Sequence, residues 1–243
     1  MKGKLDFLYR DEHLVVLNKP SGYLSIPDRF VPEKPNLVHQ LEQTYDKAWI
    51  VHRLDKETSG VICFALNAET HRSLSMQFEQ RQVKKIYHVL VDGQVSPESG
   101  AIDRPIAPHP TIPGKMMPSA KGKAAKTLYQ VRKKYRDFTL LEADIKTGRT
   151  HQIRVHFSSI GFPLSVDPMY GRRDALALSE IKKRNFRLGK GQEERPLLRR
   201  LSLHSASLEV KHPVTGELLK IEAPYHKDFR AVLQQLNKWN AYD

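Results

Sequence analysis

Apolar positions in this chain fall into short runs and alternations, and the pattern predicts strands in pairs with a few helices between them. Residues 5–9 and 14–18 read as two short strands around a polar turn at 10–13. Residues 61–66 are continuously apolar over a strand's length, as in a strand buried on both faces. Asn67 can cap a helix that begins at Ala68, with Glu69 in its first turn and Leu74 and Phe78 one turn apart. Residues 86–91 read as a strand that ends at Asp92-Gly93, and 127–131 and 138–145 resemble paired strands across a charged turn. Ile153, Phe157 and Ile160 have helical spacing, with Gly161 as a C-cap. Residues 203–210 and 218–222 predict two more strands flanking a turn at 212–217. Phe229, Val232, Leu233 and Leu236 stand at i, i+3, i+4 and i+7, an amphipathic helix.

The remaining segments read as connections. Residues 27–36 hold Pro27, Pro32 and Pro35, and 96–122 hold six prolines, which predicts a long loop with short extended pieces. Residues 180–200 look like an exposed insertion. There is no internal repeat and no linker-like break, so the expectation is one α+β domain over residues 1–243.

Composition narrows the class. With 243 residues and 40% hydrophobic content, the chain has enough apolar material for a packed core. Its longest apolar runs, such as 14–17 and 61–66, fall far short of the roughly 20 residues a membrane span needs. Residues 1–6 show no apolar signal region, and Cys63 is the only cysteine. The expectation is a cytoplasmic protein without disulfide or cysteine-rich zinc site. The net charge of +13 is uneven. Residues 114–136 hold eight basic side chains and no acidic one, and 181–200 hold eight basic and two acidic, so the rest is close to neutral. Two basic segments on a neutral body suggest a polyanion footprint, against the plainer reading of a solvated basic surface.

Three segments are candidates for chemistry. In His52-Arg53-Leu54-Asp55-Lys56-Glu57-Thr58-Ser59-Gly60, a carboxylate stands among cations, which keep it ionised and able to act as nucleophile or base. The plainer reading is an Asp that closes its own loop. In Gly148-Arg149-Thr150-His151-Gln152-Ile153-Arg154-Val155-His156, Arg149 and Arg154 sit at the start of a helix, where one can pair with Asp55 and others meet phosphates; solvated helix cations are the alternative. The His151 and His156 spacing does not fit a zinc motif, so no metal is expected. In Lys84-Lys85-Ile86-Tyr87, the tyrosine is either a core aromatic or a ring that stacks on an extruded base.

Taken together these segments resemble the RluA-type pseudouridine synthases, enzymes that isomerise uridine in RNA. The pattern H-R-L-D-x-x-T-S-G is matched at every fixed position from His52 to Gly60, and G-R-T-H-Q-I-R-V-H from Gly148 to His156. Lys85, Tyr87 and Asp92-Gly93 match the K-x-Y element and its following turn. Asn18-Lys19-Pro20-Ser21-Gly22 resembles the N-K-P-x-G element, and His204-Ser205, 212–217 and Ala223-Pro224 also fit. Val166 stands where the family commonly has Gly before Asp167, and the stretch 172–200 is longer and more basic than expected. The resemblance also implies a catalytic domain without the small N-terminal RNA-binding domain that many relatives carry.

The resemblance implies a fold, a reaction and roles. The fold would be a pseudouridine-synthase domain with a mixed, mainly antiparallel sheet flanked by helices and loops. The reaction breaks the N-glycosidic bond, rotates the uracil and rejoins it through C5, with no cofactor. Asp55 would be the catalytic carboxylate, acting at the ribose or at the uracil ring. Arg154 would orient it, with Arg149 as the alternative. Tyr87 would stack on the flipped uracil and assist the later loss of the C5 proton. Arg53 would fill the space the base leaves. His52, Arg149, His151, Lys19, Lys85, Lys121 and Lys123 would contact RNA, and the basic stretches 110–126 and 172–200 would extend that footprint. The expected partner is transfer or ribosomal RNA, with no protein partner, no membrane and a monomeric state. The competing reading is a catalytically silent RNA-binding protein on the same scaffold.

Overall fold

A computed structural model describes residues 5–28, 31–184, 186–189, 191 and 193–242. Lys190 of the second basic segment lies outside the described residues. In chain order the elements are β1 (Phe7–Arg10), β2 (Leu14–Lys19), α1 (Leu37–Leu41), β3 (Trp49–Ile50), β4 (Ser59–Ala65), α2 (Ala68–Glu79), β5 (Lys84–Asp92), β6 (Ser99–Asp103), β7 (Ile106–Pro108), β8 (Met116–Pro118), β9 (Lys126–Lys134), β10 (Phe138–Ile145), α3 (Gln152–Ser159), α4 (Leu178–Lys182), β11 (Leu203–Lys211), β12 (Leu218–Glu222) and α5 (Lys227–Trp239). They form two compact units, the first from residues 1–87 and 204–224, the second from 88–203 and 225–243. Strand pairing is mixed and mainly antiparallel.

In the first unit the strand order is β1-β2-β4-β11, with β12 beside β11 and β3 beside β4. All seven residues of β4 and all six of β2 are buried. The continuous apolar run has this cause: β4 is flanked by β2, antiparallel from Leu14↔Ala65 to Lys19↔Gly60, and by β11, parallel at His204↔Ser59 and Ser205↔Gly60. Gly60 is required at that crossing. Its φ is +109°, and a Cβ there would lie 2.1 Å from the Ser205 carbonyl oxygen. Helix α2 starts where the sequence predicts, with Asn67 Oδ1 accepting from Thr70 N–H, and its Leu74 packs with Val16, Val61 and Cys63.

In the second unit the order is β5-β10-β9-β6, and β7 and β8 form a separate two-stranded hairpin. The loop expected at 96–122 thus supplies β6, β7 and β8 as its extended pieces. Helix α3 begins at Gln152, so Arg149 precedes it by a turn and is not part of it. One expectation is corrected. Residues 180–200 are not simply an exposed insertion: Ile181 and Leu198 are buried with Phe229, Val232 and Leu236 of α5, and Leu176 bridges Leu198. Arg200 is also interior, its guanidinium on Asp228 at 2.6 and 2.8 Å. Ile181 and Leu198, spread among many charges, hold this stretch down, and the charge density hides them in the sequence. Val166, the departure from the resemblance, is fully buried in the same core.

Candidate active site

In the first unit the loop 54–58 carries Asp55, and the segment 19–25 pins it from several sides. Lys19 Nζ donates to the carbonyls of Lys56 and Thr58, both at 2.8 Å, and of Pro20 at 3.1 Å. Gly22 N–H donates to Lys56 O, and Ser21 Oγ to Glu57 O. Ser25 Oγ donates to Leu54 O at 3.0 Å and accepts from Leu54 N–H at 3.1 Å. Asp55 itself is half-buried, and its carbonyl accepts from Thr58 N–H. The backbone on both sides of the carboxylate is therefore fixed before any substrate arrives.

This geometry corrects one expectation, for Lys19, and gives the surroundings of His52. Lys19 is fully buried with its ammonium spent on three carbonyls, so it holds the Asp55 loop and does not reach RNA. His52 stacks on Phe78 at 4.7 Å and 17°, and its Nε2 accepts from Cys63 N–H at 3.1 Å. Burial, and then the charge of Lys85, lower its pKa to about 3, so the ring is neutral and offers no cation to a phosphate. Lys85 is half-buried, with Nζ 5.9 Å from the Phe78 ring centre. Arg53 is exposed.

Tyr87, which the sequence leaves between core aromatic and stacking ring, is buried at 6% exposure. Burial raises its phenol pKa above the usual 10. The neighbouring Ser205 hydroxyl pulls downward and the charge of Asp55 pushes upward again. Asp55 and Tyr87 therefore sense one another within this unit. The phenol keeps its proton at neutral pH, which suits a neutral ring or hydroxyl and disfavours a phenolate base. Ser205 Oγ also donates to Val61 O, and Ser59 Oγ meets His204 Nδ1 at 2.9 Å while His204 Nε2 meets Ala223 O.

In the second unit Arg154 is 6% exposed and forks onto fully buried Asp167, Nε to Oδ2 at 2.7 Å and Nη2 to Oδ1 at 2.9 Å. Asp167 also accepts from Met169 N–H and Tyr170 N–H. The guanidinium carbon lies 4.8 Å from the Tyr170 ring centre. Tyr170 Oη accepts from Met116 N–H of β8 at 2.7 Å and meets His151 Nδ1 at 2.8 Å. His151 has φ of +56°, a left-handed conformation uncommon outside glycine. Arg149 is half-buried, with Nε on Ala124 O at 3.0 Å, and Lys121 and Lys123 are exposed. Sequence reasoning assigned no role to Ser25, Asp167, Tyr170 or Ser205. Asp167 and Tyr170 stand in the stretch whose departure it noted, and their charge and ring were the available signal. Among the described residues no group of three or more His, Cys, Asp or Glu side chains is placed to hold a metal ion. Among the same residues no helix is long and apolar enough to cross a membrane.

The first unit thus holds a braced carboxylate loop and a buried tyrosine that feels its charge, and the second a forked Arg–Asp pair; comparison with known proteins gives the class, an RNA-modifying isomerase. The profile of the family described as RNA pseudouridylate synthase matches residues 13–159. The chain belongs to that family. Its relatives place it on the RluA branch. It is 37% identical over 223 residues to the dual-specificity RNA pseudouridine synthase RluA of Salmonella typhi, covering 90% of this chain and 93% of that one. It is 37% identical over 240 residues to the ribosomal large subunit pseudouridine synthase D of Nitrosomonas europaea, covering 96% of this chain and 65% of the relative's length. Among solved structures, human RNA pseudouridylate synthase domain containing 4 superposes with a TM-score of 0.72 at 26% identity, over 96% of this chain and 93% of that one.

Proposed function

We propose that this chain converts specific uridines of transfer or ribosomal RNA to pseudouridine, with Asp55 as the essential carboxylate. The reaction conserves atoms and electrons. The bond from ribose C1′ to uracil N1 breaks, a bond from C1′ to C5 forms, C5 loses a proton and N1 gains one. No external reactant enters the balance.

The observation that carries the reading is the bracing of the Asp55 loop by buried Lys19, Ser21, Gly22 and Ser25. A loop closed only by its own Asp would not need a buried ammonium beneath it. In the second unit Arg154 is held by Asp167 as a fixed guanidinium, which we assign to the same reaction. Tyr87 presents a neutral ring to the uracil. Extruding a nucleotide costs a few kcal/mol, which exposed Arg53 offsets by filling the vacated stack. Arg149, His151, Lys85, Lys121 and Lys123 contact the RNA, mainly its phosphates.

The test is primer extension across carbodiimide-treated transfer and ribosomal RNA after incubation with purified protein. New stops with the natural chain, and none with an Asp55→Asn variant that still binds the RNA, are the expected result. Binding without any new stop would favour the silent RNA-binding protein, and released free uracil would indicate a glycosylase.

A further inference from the structure

Trp239 closes α5 with 38% of its surface exposed. Its Nε1 donates to Gln235 Oε1 at 3.1 Å, which satisfies the indole N–H and fixes the ring. Lys182 Nζ lies 4.4 Å and Lys238 Nζ 4.9 Å from a ring centre of this indole. The next residue fastens the helix end to two other segments of the second unit. Asn240 Nδ2 donates to Asp137 Oδ2 at 2.8 Å and to Ile181 O at 3.2 Å. Its Oδ1 accepts from Asp137 N–H, and its carbonyl accepts from Arg136 N–H. Asp137 in turn takes Lys183 Nζ at 2.5 Å. The end of α4, the turn between β9 and β10 and the end of α5 thus form one fixed corner. It carries Arg136, Lys182, Lys183, Arg184 and Lys238, with Tyr242 half exposed two residues beyond Asn240.

A lone exposed apolar side chain needs no explanation. A pinned indole with two ammonium groups lying over its rings does, because these flexible lysines can leave a ring face to a base as they move onto phosphates, which combines the two interactions that hold unpaired nucleic acid. Bases stack on an aromatic face whatever their sequence, and cations neutralise the phosphates between them. Duplex RNA keeps its base faces inside the stack, so such a surface favours single strands. We propose that this corner binds an unpaired stretch of the RNA substrate, with one base on Trp239 and Lys182, Lys238 and Arg136 on its phosphates. The inference rests on the RNA reading above, yet α4 and α5 both lie beyond the residues that match the family profile.

Trp49 and Trp239 are the only two tryptophans, so Trp49→Phe leaves Trp239 as sole indole reporter. That protein is titrated with a labelled single-stranded RNA of about eight nucleotides, within the usual site size, following indole emission and label anisotropy together. Saturable quenching that tracks anisotropy is expected, while polyglutamate, a charged polymer without bases, leaves the emission unchanged. Trp239→Leu weakens binding about tenfold, the scale of one base–aromatic stack, and Trp239→Phe keeps most of it. On a substrate trimmed of unpaired flanks, Trp239→Leu forms pseudouridine as fast as the parent. Anisotropy without quenching, equal binding by Trp239→Leu, quenching by polyglutamate, or equal loss of activity on trimmed and untrimmed RNA would overturn the proposal. Failure of the parent chain itself to form pseudouridine would count against the catalytic reading instead.

Discussion

Lys19 shows how a single side chain changes meaning once its surroundings are known. In the sequence it is one more cation beside a motif; in the fold it is an interior strut whose three protons bind three carbonyls. Lys19→Met keeps much of the volume and strands those carbonyls, so it should cost about 2–4 kcal/mol, the scale of breaking a buried charged hydrogen-bond set. Urea unfolding reads that loss. Where the variant remains folded, its pseudouridine yield should fall less than that of Asp55→Asn. His52 yields a pH prediction. Its folded pKa, about 3, lies below the ordinary 6.5, so the unfolded chain binds the extra proton first between those values. The stability it contributes is complete above pH 6.5 and drains away as pH falls toward 3. His52→Gln retains an acceptor without that titration, and its urea midpoint should vary less over the same window.

At the scale of elements, the stretch 180–200 separates two pictures. An exposed insertion would tolerate Leu198→Ala without cost, whereas a side chain with no exposed surface, packed on α5, should lose about 2–5 kcal/mol in thermal or urea unfolding. The same comparison shows what was legible beforehand. Strands β2, β4, β9, β10, β11 and β12 and helices α2 and α5 carry their own period or cap, so local pattern locates them. Helix α1 and strand β3 are too short to show a period, and the short helix α4 is masked by its charges. Asp55, Tyr87 and Arg154 could be singled out because their motifs are dense. The bracing by Ser25 and the fork onto Asp167 could not, since each joins positions distant in the chain through interactions that only folding creates.

For the whole molecule, the net charge of +13 makes RNA affinity a salt-dependent quantity. Lys121→Ala with Lys123→Ala should lower the slope of log affinity against log salt by about 2, roughly one for each phosphate no longer neutralised, while leaving the trimmed-substrate rate at saturating RNA nearly intact. Filter binding across a salt series measures it. An unchanged slope would place both lysines outside the footprint.

The first unit is assembled from two stretches separated by residues 88–203. At a synthesis rate of about 5–20 residues per second, the ribosome takes on the order of ten seconds to deliver the intervening stretch. Throughout that interval the nascent β4 lacks its parallel neighbour, and Gly60 has no Ser205 to meet. Vectorial folding therefore cannot finish the first unit before the residues of the second are made. A nascent chain stalled after residue 203 should leave the Asp55 loop open to limited proteolysis, and one stalled late enough for residue 224 to clear the exit tunnel should protect it.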